Sequence, residues 1–256
     1  MYQPLFTAFG PKAIEQRLGC SGARWIVTDA HNRPKLNEVT NCPIVITVEA
    51  AQQDLGDYDF WSTLQRQSND CEPLLQDGQA PFLLMCTSGT TGPAKPLEVP
   101  LRAILAFKGY MHDAVELRAD DRFWNLADPG WAYGLYYSVT GPLALGHATL
   151  FYDGPFSVDS TCWVINKYAI TNLAGSPTAF RLLISTGMEF ADSIQGRLRV
   201  VSSAGEPLNP QVIRWFAEHL GVVIHDHYGQ TELGMVLSNH HGLSHPVHEG
   251  AAGYAI

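Results

Sequence analysis

The sequence predicts an α/β fold in which layered, largely parallel sheets are flanked by helices. Short apolar runs rich in β-branched residues recur along the chain, and such runs are typical of buried strands. Amphipathic stretches of helical length lie between several of these runs. Because neighbouring parallel strands need a crossover connection, usually a helix, this alternation favours parallel sheets.

The predicted elements follow one another along the chain. Strands are predicted at residues 24–28, 43–48, 82–86, 123–126, 148–152, 171–174, 198–202 and 222–225. Helices are predicted at residues 11–18, 102–117, 177–186 and 210–220. Two of these helices have a capping side chain directly before a first-turn proline, Ser176 before Pro177 and Asn209 before Pro210. The polar residues 56–80 have weak periodicity and predict a surface connection, where a subdomain boundary could lie.

Composition and charge narrow the class of protein. With 256 residues, 46% of them hydrophobic and 16% charged, the chain can bury a large core, as one large domain or two smaller ones. A formal net charge of −9 argues against a nucleic-acid partner. No apolar segment approaches membrane-spanning length, and residues 1–4 lack the features of a signal peptide. We therefore expect a cytoplasmic protein without a membrane partner.

Cysteine and histidine are the residue types that could form a metal site. The 5 cysteines include no Cys-x-x-Cys pair and predict free thiols in a reducing compartment. Histidines crowd the last quarter of the chain, at His225, His227, His240, His241, His245 and His248. Their spacing does not match a structural zinc site and no cysteine lies nearby. The pattern favours a polar loop over a metal centre.

Residues 87–95 form a loop dense in hydroxyl groups and glycine, directly after a predicted strand. Loops of this composition bind phosphate oxygens, because glycines let backbone N–H groups converge and hydroxyls and a lysine add donors and charge. The alternative is an ordinary surface turn. The common mononucleotide phosphate loop is excluded, because the spacing of Gly89, Gly92 and Lys95 does not fit it. The loop consists of Thr87, Ser88, Gly89, Thr90, Thr91, Gly92, Pro93, Ala94 and Lys95.

This loop resembles the signature of the adenylate-forming superfamily, which includes acyl-CoA synthetases, luciferases and peptide-synthetase adenylation domains. The match departs from the usual pattern at Pro96, where members usually have glycine. Other segments resemble landmarks of the acyl-CoA synthetase branch, in the same order along the chain. These segments are residues 128–134, residues 175–181, residues 204–208 with Gly205-Glu206-Pro207, and residues 226–232, Asp226-His227-Tyr228-Gly229-Gln230-Thr231-Glu232.

The resemblance implies part of the large N-terminal domain of an adenylate-forming enzyme, covering residues 1–256. It implies activation of a carboxylic acid with ATP and Mg²⁺, then transfer of the acyl group to coenzyme A. In that chemistry the protein positions and stabilises charge and needs no covalent nucleophile of its own. Fatty acid metabolism is the expected context.

The resemblance also implies roles for single residues. The 87–95 loop, with Lys95, would hold the β- and γ-phosphates, and Thr231 would face the α-phosphate. Glu232 would provide an oxygen ligand for Mg²⁺. Tyr228 would stack on adenine. The wall of the adenine pocket would be formed by Gly205, Glu206 and Pro207. The polar neighbours of the base would be Asp226, His227 and Gln230. The acyl pocket would be formed by Trp131, Ala132, Tyr133, Gly134 and Gly229.

Two further expectations concern the acyl group and the extent of the chain. Acetate-specific members have a bulky tryptophan at the position of Gly229, so the glycine favours a medium-length aliphatic or an aromatic acid. Members are about twice as long, and the residue that holds the ribose and the small C-terminal domain with its catalytic lysine lie outside the matched region. A truncated surface would favour self-association.

Three interpretations follow. The chain is a fragment of an acyl-CoA synthetase that binds nucleotide but turns over poorly alone, or a noncatalytic nucleotide-binding or interaction module derived from that family. The third, an unrelated α/β hydrolase, needs a Gly-x-Ser-x-Gly elbow, which Ser88 and Ser176 do not provide.

Overall fold

The computed structural model describes residues 1–49, 55–87 and 95–256. The chain divides into two compact units, Met1–Leu101 and Arg102–Ile256. The predicted connection at residues 56–80 lies inside the first unit, and a subdomain boundary there stays a prediction.

The first unit contains a small parallel sheet and a separate hairpin. Its elements are α1 (Pro11–Ser21), β1 (Trp25–Thr28), a 3₁₀ turn (Arg33–Glu38), β2 (Ile44–Thr47), β3 (Tyr58–Asp59), α2 (Phe60–Leu64), β4 (Pro81–Thr87) and β5 (Lys95–Pro100). Strands β1, β2 and β3 pair in parallel, whereas β4 and β5 are antiparallel. All three strands predicted in this region are present, while β3, α2 and β5 were not predicted.

One face of the β1–β2–β3 sheet is packed and the other is open. Ile14 of α1 packs with Leu36, Val39 and Val45 in a small core. The opposite face exposes aromatic and aliphatic side chains, namely Trp25, Val27, Ile44 and Tyr58. Parallel sheets are usually covered on both faces, so this exposed apolar face is unusual; self-association stays a prediction.

A buried ion pair joins the 3₁₀ turn to the segment before β3. Arg33 donates from Nε to Asp57 Oδ2 at 2.6 Å and from Nη2 to Oδ1 at 2.9 Å. Thr47 Oγ1 donates to Asp57 at 3.3 Å. The two charged side chains are only 6% and 1% exposed, so each depends on the other for compensation of its charge.

Replacing Asp57 by asparagine should therefore destabilise the protein. The change leaves the buried Arg33 guanidinium without a counter-charge, a loss that costs about 3 kcal/mol of unfolding free energy. Urea denaturation of both proteins measures the difference. The exposed carboxylate of Glu72 offers a matched control, and Glu72→Gln should change stability by less than about 0.5 kcal/mol. Equal effects of the two variants would contradict the prediction.

The second unit is built around a larger mixed sheet. Its elements are α3 (Ala103–Gly109), a π-helical turn (Tyr110–Ala114), β6 (Phe123–Asn125), α4 (Ala132–Gly134), a π-helical segment (Leu135–Thr140), α5 (Gly141–Ala144), β7 (Thr149–Leu150), α6 (Val158–Tyr168), β8 (Asn172–Gly175), α7 (Pro177–Ile184), α8 (Met188–Ile194), β9 (Val200–Ala204), α9 (Pro210–Leu220), β10 (Ile224–Gln230), β11 (Gly234–Ser238) and β12 (Tyr254–Ala255).

The strand order is β12-β11-β10-β9-β8-β6-β7. Strands β6 to β10 pair in parallel, and β11 and β12 extend the sheet with antiparallel pairing. Helices α6, α7, α8 and α9 contribute to one apolar core with the parallel strands. The predicted α/β fold with parallel strands flanked by helices is confirmed. The antiparallel edge and helices α6 and α8 were not predicted.

Two predicted helix starts show the expected local bonds. Ser176 Oγ accepts from Ala179 N at 3.3 Å, and Asn209 Oδ1 accepts from Gln211 N at 2.9 Å. Both helices have proline in the first turn. The cap of α7 follows β8 directly and the cap of α9 follows β9 after a short segment, so both fix where a helix begins at the carboxyl edge of the sheet.

Candidate functional site

A cavity of about 620 Å³ lies within the second unit. Its walls come from the segments that follow β6, β8 and β9 and from β10 and β11, so it lies at the carboxyl edge of the parallel strands, where α/β sheets bind ligands. The lining residues are Leu126, Ala127, Asp128, Trp131, Ala132, Tyr133, Tyr136, Tyr137, Ser176, Ala204, Gly205, Glu206, Gly229, Gln230, Thr231, Gly234 and Met235.

Most residues predicted for the acyl and nucleotide pockets are in this wall. Trp131, Ala132 and Tyr133 line it, as do Gly205, Glu206, Gly229, Gln230 and Thr231. Gly134 is buried beside them, and a Cβ there would lie 2.1 Å from the Asp128 carbonyl oxygen. Among the described residues, Pro207, Asp226, His227, Tyr228 and Glu232 do not line the cavity. Tyr136, Tyr137 and Met235 also line the cavity, and no sequence motif predicted a role for them.

Gly229 allows two strands to approach each other closely. A Cβ at this position would lie 2.3 Å from the Gly234 carbonyl oxygen and 2.8 Å from Met235 Cα. The register of β10 and β11 shifts between Tyr228 and Gly229. The wall here is therefore formed by the β11 backbone and the Met235 side chain, which already occupy the space that a Cβ at position 229 would take.

Three tyrosines form the inner wall of the cavity. Tyr136 Oη donates to the Thr231 carbonyl at 3.1 Å, and Tyr137 Oη accepts from Met235 N at 2.7 Å. Burial raises the pKa of the Tyr133 and Tyr137 phenols well above their ordinary value. These hydroxyls therefore stay neutral and are available for hydrogen bonds at neutral pH.

The segment after β9 carries the predicted adenine wall. Gly205 has φ of +102°, and a Cβ there would meet nothing within 4 Å, so the glycine is required by its backbone conformation. Thr178 Oγ1 donates to both oxygens of Glu206, at 3.0 and 2.8 Å, and Arg181 Nη2 donates to Glu206 Oε2 at 3.2 Å. Helix α7 thus holds the Glu206 side chain from outside the cavity.

The predicted nucleotide residues on β10 separate into two environments. Tyr228 is 44% exposed, and its hydroxyl accepts from Gln230 Nε2 at 2.8 Å. Asp226 is buried, and burial raises its pKa to about 6. Among the described residues, Asp226 Oδ1 makes no hydrogen bond. Asp226 is therefore a buried polar group beside the cavity wall rather than part of its lining.

His227 lies in the core of the unit. Its Nδ1 is 2.7 Å from Tyr110 Oη, and its Nε2 is 3.1 Å from the Asn239 carbonyl. Since a carbonyl can only accept, Nε2 carries the proton and Tyr110 donates to Nδ1. Burial lowers the pKa of His227 to about 3. The side chain is a neutral core group, and its predicted role toward nucleotide stays a prediction.

The crowded histidines form a packed cluster. The rings of His225 and His241 stack at 3.7 Å with 3° between their planes, and His227 packs edge-on to His241. Burial lowers the pKa of His241 to about 2. In the part of the chain that the structure describes, no group of three or more His, Cys, Asp or Glu side chains is arranged to hold a metal ion. His225 lies in β10, in agreement with the strand predicted at 222–225, whereas His227 was expected in a polar loop and also lies in β10.

The predicted phosphate loop connects β4 and β5 of the first unit. Thr87 ends β4, Lys95 begins β5, and the two are directly paired across the hairpin. Residues 88–94, which include Ser88, Gly89, Thr90, Thr91 and Gly92, lie outside the described residues. Across the described ranges, no helix is both long and apolar enough to cross a membrane.

Comparison with known proteins gives consistent matches along the whole chain. The model of the AMP-binding enzyme family matches residues 1–256. The chain is 29% identical to an acetyl-coenzyme A synthetase of Pseudoalteromonas translucida over 93% of its length, and 30% identical to one of Helicobacter acinonychis over 90%. It spans 41% and 39% of those two relatives.

Solved structures agree with this match. An acyl-CoA synthetase of Brucella canis has a TM-score of 0.95 and 61% identity to this chain. The match covers the whole of this chain and 47% of the Brucella protein. The anthranilate CoA ligase AuaEII in complex with anthranoyl-AMP has a TM-score of 0.90 and 21% identity, and the match covers 99% of this chain and 49% of the ligase. At this level of identity, the similarity shows only that the fold is shared. With its α/β sheet and carboxyl-edge cavity, the chain belongs to the AMP-binding enzyme family, among the adenylate-forming acyl-CoA and acetyl-CoA synthetases.

Proposed function

We propose that this chain forms the nucleotide- and acyl-binding part of an acyl-CoA synthetase. The observation that carries the proposal is the cavity of about 620 Å³ lined by Gly205, Glu206, Gly229 and Thr231. Its volume lies in the range of small-molecule sites. The ligand in the fold relative AuaEII, anthranoyl-AMP, is the type of molecule that the proposal requires: an acyl group joined to AMP.

The proposed reaction has two steps. A carboxylate oxygen of the acid attacks the α-phosphorus of ATP, forming an acyl-adenylate and releasing pyrophosphate. The thiol sulfur of coenzyme A then attacks the acyl carbon, forming the thioester and releasing AMP. The protein's contribution is to hold the reacting groups together and to stabilise negative charge.

In this proposal, described residues contact the nucleotide at two places. Gly205 and Glu206 would border adenine. Gly205 leaves open space because it has no side chain, and Arg181 and Thr178 hold the Glu206 carboxylate. Thr231 would donate its hydroxyl to the α-phosphate. Lys95 and the 88–94 loop would bind the β- and γ-phosphates, a role carried by sequence alone.

The carboxylate beside the proposed phosphate position also suits Mg²⁺. Mg²⁺ is commonly bound by one or two carboxylates together with substrate phosphates, and Glu232 is an exposed carboxylate next to Thr231. When bound, Mg²⁺ would neutralise charge on the phosphates. Glu232 would hold it at the turn after β10.

For the acyl group, we propose a medium-length aliphatic or an aromatic acid in preference to acetate. The absence of a side chain at the lining residue Gly229 and the aromatic lining from Tyr133 and Trp131 support this. A role in fatty acid metabolism and a cytoplasmic location belong to the same proposal.

Equilibrium titration with Mg-ATP tests the nucleotide site. Thr231→Ala removes a hydroxyl donor and Lys95→Ala removes a positive charge, so each should weaken binding about tenfold, equivalent to about 1.4 kcal/mol. Lys12→Ala, which removes another exposed lysine, should leave binding unchanged. Unchanged affinity in both site variants would refute the proposed placement of the nucleotide.

The second candidate is a noncatalytic nucleotide-binding or interaction module. It requires only that the cavity of the second unit binds nucleotide, without turnover by the chain. ATP–pyrophosphate exchange with a panel of carboxylic acids separates the two candidates. If this chain catalyses exchange, the result supports the synthetase. If this chain binds Mg-ATP, and neither it nor the longest protein encoded at its locus catalyses exchange, the result supports the module.

A further inference from the structure

The turn between β10 and β11 carries Thr231 and Glu232, and two consecutive tyrosines contact its two ends. At one end, Tyr136 Oη donates to the Thr231 carbonyl at 3.1 Å. At the other end, Met235 N donates to Tyr137 Oη at 2.7 Å. Within the turn, Leu233 N donates to the Gln230 carbonyl at 3.1 Å. The side chains of one short segment thus hold both ends of the turn.

The local helix geometry allows adjacent residues to act together. In an α-helix, consecutive side chains diverge by about 100°. Residues Leu135–Thr140 are π-helical instead, and short π-helical segments occur frequently at functional sites. Within this segment the hydroxyls of both Tyr136 and Tyr137 reach the stretch from Thr231 to Met235.

Both rings are fixed by aromatic packing. Tyr136 is 1% exposed and stacks on Phe107 with 4.4 Å between ring centroids and 18° between planes. Tyr137 is 3% exposed, packs on Tyr110 at 4.3 Å and meets Phe107 edge-on at 5.5 Å. Since the rings cannot move without disturbing this cluster, the two hydroxyls are fixed hydrogen-bonding points.

Gly234 completes the arrangement at the end of the turn. Its φ is +70°, a conformation that favours glycine. A Cβ at Gly234 would lie 3.0 Å from Tyr137 Oη. The glycine therefore permits both the turn and the close approach of the Tyr137 hydroxyl.

We propose that Tyr136 and Tyr137 are positioning residues that orient the 231–234 turn toward the phosphates of the nucleotide. The proposal rests on the proposed function, because it assigns phosphate and magnesium contacts to Thr231 and Glu232. The tyrosines act through the turn and touch neither phosphate nor metal. Their hydroxyls set where the Thr231 hydroxyl and the Glu232 carboxylate lie.

Phenylalanine substitutions test the proposal, because Tyr136→Phe and Tyr137→Phe keep the packed rings and remove only the hydroxyls. Equilibrium affinities are measured for Mg-ATP, which needs the turn, and for adenosine, which needs only the adenine wall. Each variant should bind Mg-ATP about five- to tenfold more weakly, the loss expected for one hydrogen bond, and adenosine within about twofold of wild type. Tyr168→Phe, at an exposed tyrosine of α6, is the control and should bind both ligands as wild type does.

The two ligands make the outcomes distinguishable. Unchanged Mg-ATP affinity in both variants would overturn the positioning role, and so would an equal loss for Mg-ATP and adenosine, which indicates general disruption of the fold. Wild-type protein that binds adenosine but not Mg-ATP would overturn the proposed function itself, and the inference with it. Selective weakening of Mg-ATP binding supports both.

Discussion

Replacing Gly229 by alanine should destabilise the protein and distort the cavity wall. The added Cβ would lie 2.3 Å from the Gly234 carbonyl oxygen, far inside van der Waals contact, and both groups belong to paired strands. Relief requires β10 and β11 to separate. Such overpacking costs about 1–3 kcal/mol of unfolding free energy.

Gly109→Ala is a matched control for this substitution. A Cβ at Gly109 would meet nothing within 4 Å, and the residue is helical. Alanine is favoured over glycine there by about 0.5–1 kcal/mol. Urea denaturation should therefore shift in opposite directions for the two variants, and a stabilised Gly229→Ala protein would contradict the structure of this wall.

A larger residue at the same position should change ligand selection. Gly229→Trp adds an indole at a position that lines the cavity, and accommodating it requires the same separation of β10 and β11. Binding of acids longer than acetate should fall at least tenfold relative to binding of acetate, measured by competition under the conditions of the Mg-ATP titration. Equal losses for short and long acids would show that position 229 does not limit the acyl pocket.

Local signals predicted much of the fold. Ser176 and Asn209 were expected to cap helices because each precedes a proline, and both caps form. The strand before the phosphate loop was expected from its apolar residues and is present as β4. Such features depend on residues that are close together in the sequence, so the sequence alone is enough to predict them.

The remaining features depend on contacts between distant residues. The π-helical geometry at Tyr136 and Tyr137 is stabilised by packing on Phe107 and by bonds to a turn roughly a hundred residues later, which no local pattern signals. The antiparallel β11 at Met235 lies between β10 and the edge strand β12, and its direction depends on pairing with both of them. The burial of His227 likewise follows from Tyr110 and Asn239, whose positions only the folded chain defines.

Acidification should unfold the protein because buried histidines must take up protons. The folded pKa values of His227 and His241 are about 3 and about 2 because of burial, whereas an unfolded histidine titrates near 6.5. Below pH ~6.5 the unfolded state therefore binds more protons, and stability falls with decreasing pH. Each histidine contributes a slope of about 1.4 kcal/mol per pH unit.

One carboxyl group acts in the opposite direction. Burial raises the folded pKa of Asp226 to about 6, so between pH ~3.9 and ~6 the folded state binds its proton more readily. This contribution favours the folded state on acidification, but it comes from one group, whereas burial lowers the pKa of His225 as well as those of His227 and His241. The histidines determine the sign, and the unfolding free energy should fall by about 3 kcal/mol between pH 7 and pH 5.

Substitution of His241 tests this balance. The His241 Nε2–H donates to the Val201 carbonyl at 3.2 Å, and His241→Asn retains a donor while removing one titrating ring. The loss of stability between pH 7 and pH 5 should shrink from about 3 to about 1 kcal/mol. His248→Asn, at an exposed histidine of the same region, should leave the pH dependence as in wild type. If urea denaturation gives the same pH dependence for all three proteins, the buried histidines are not the groups that set acid stability, because removing one of the two dominant proton-uptake sites must change the slope.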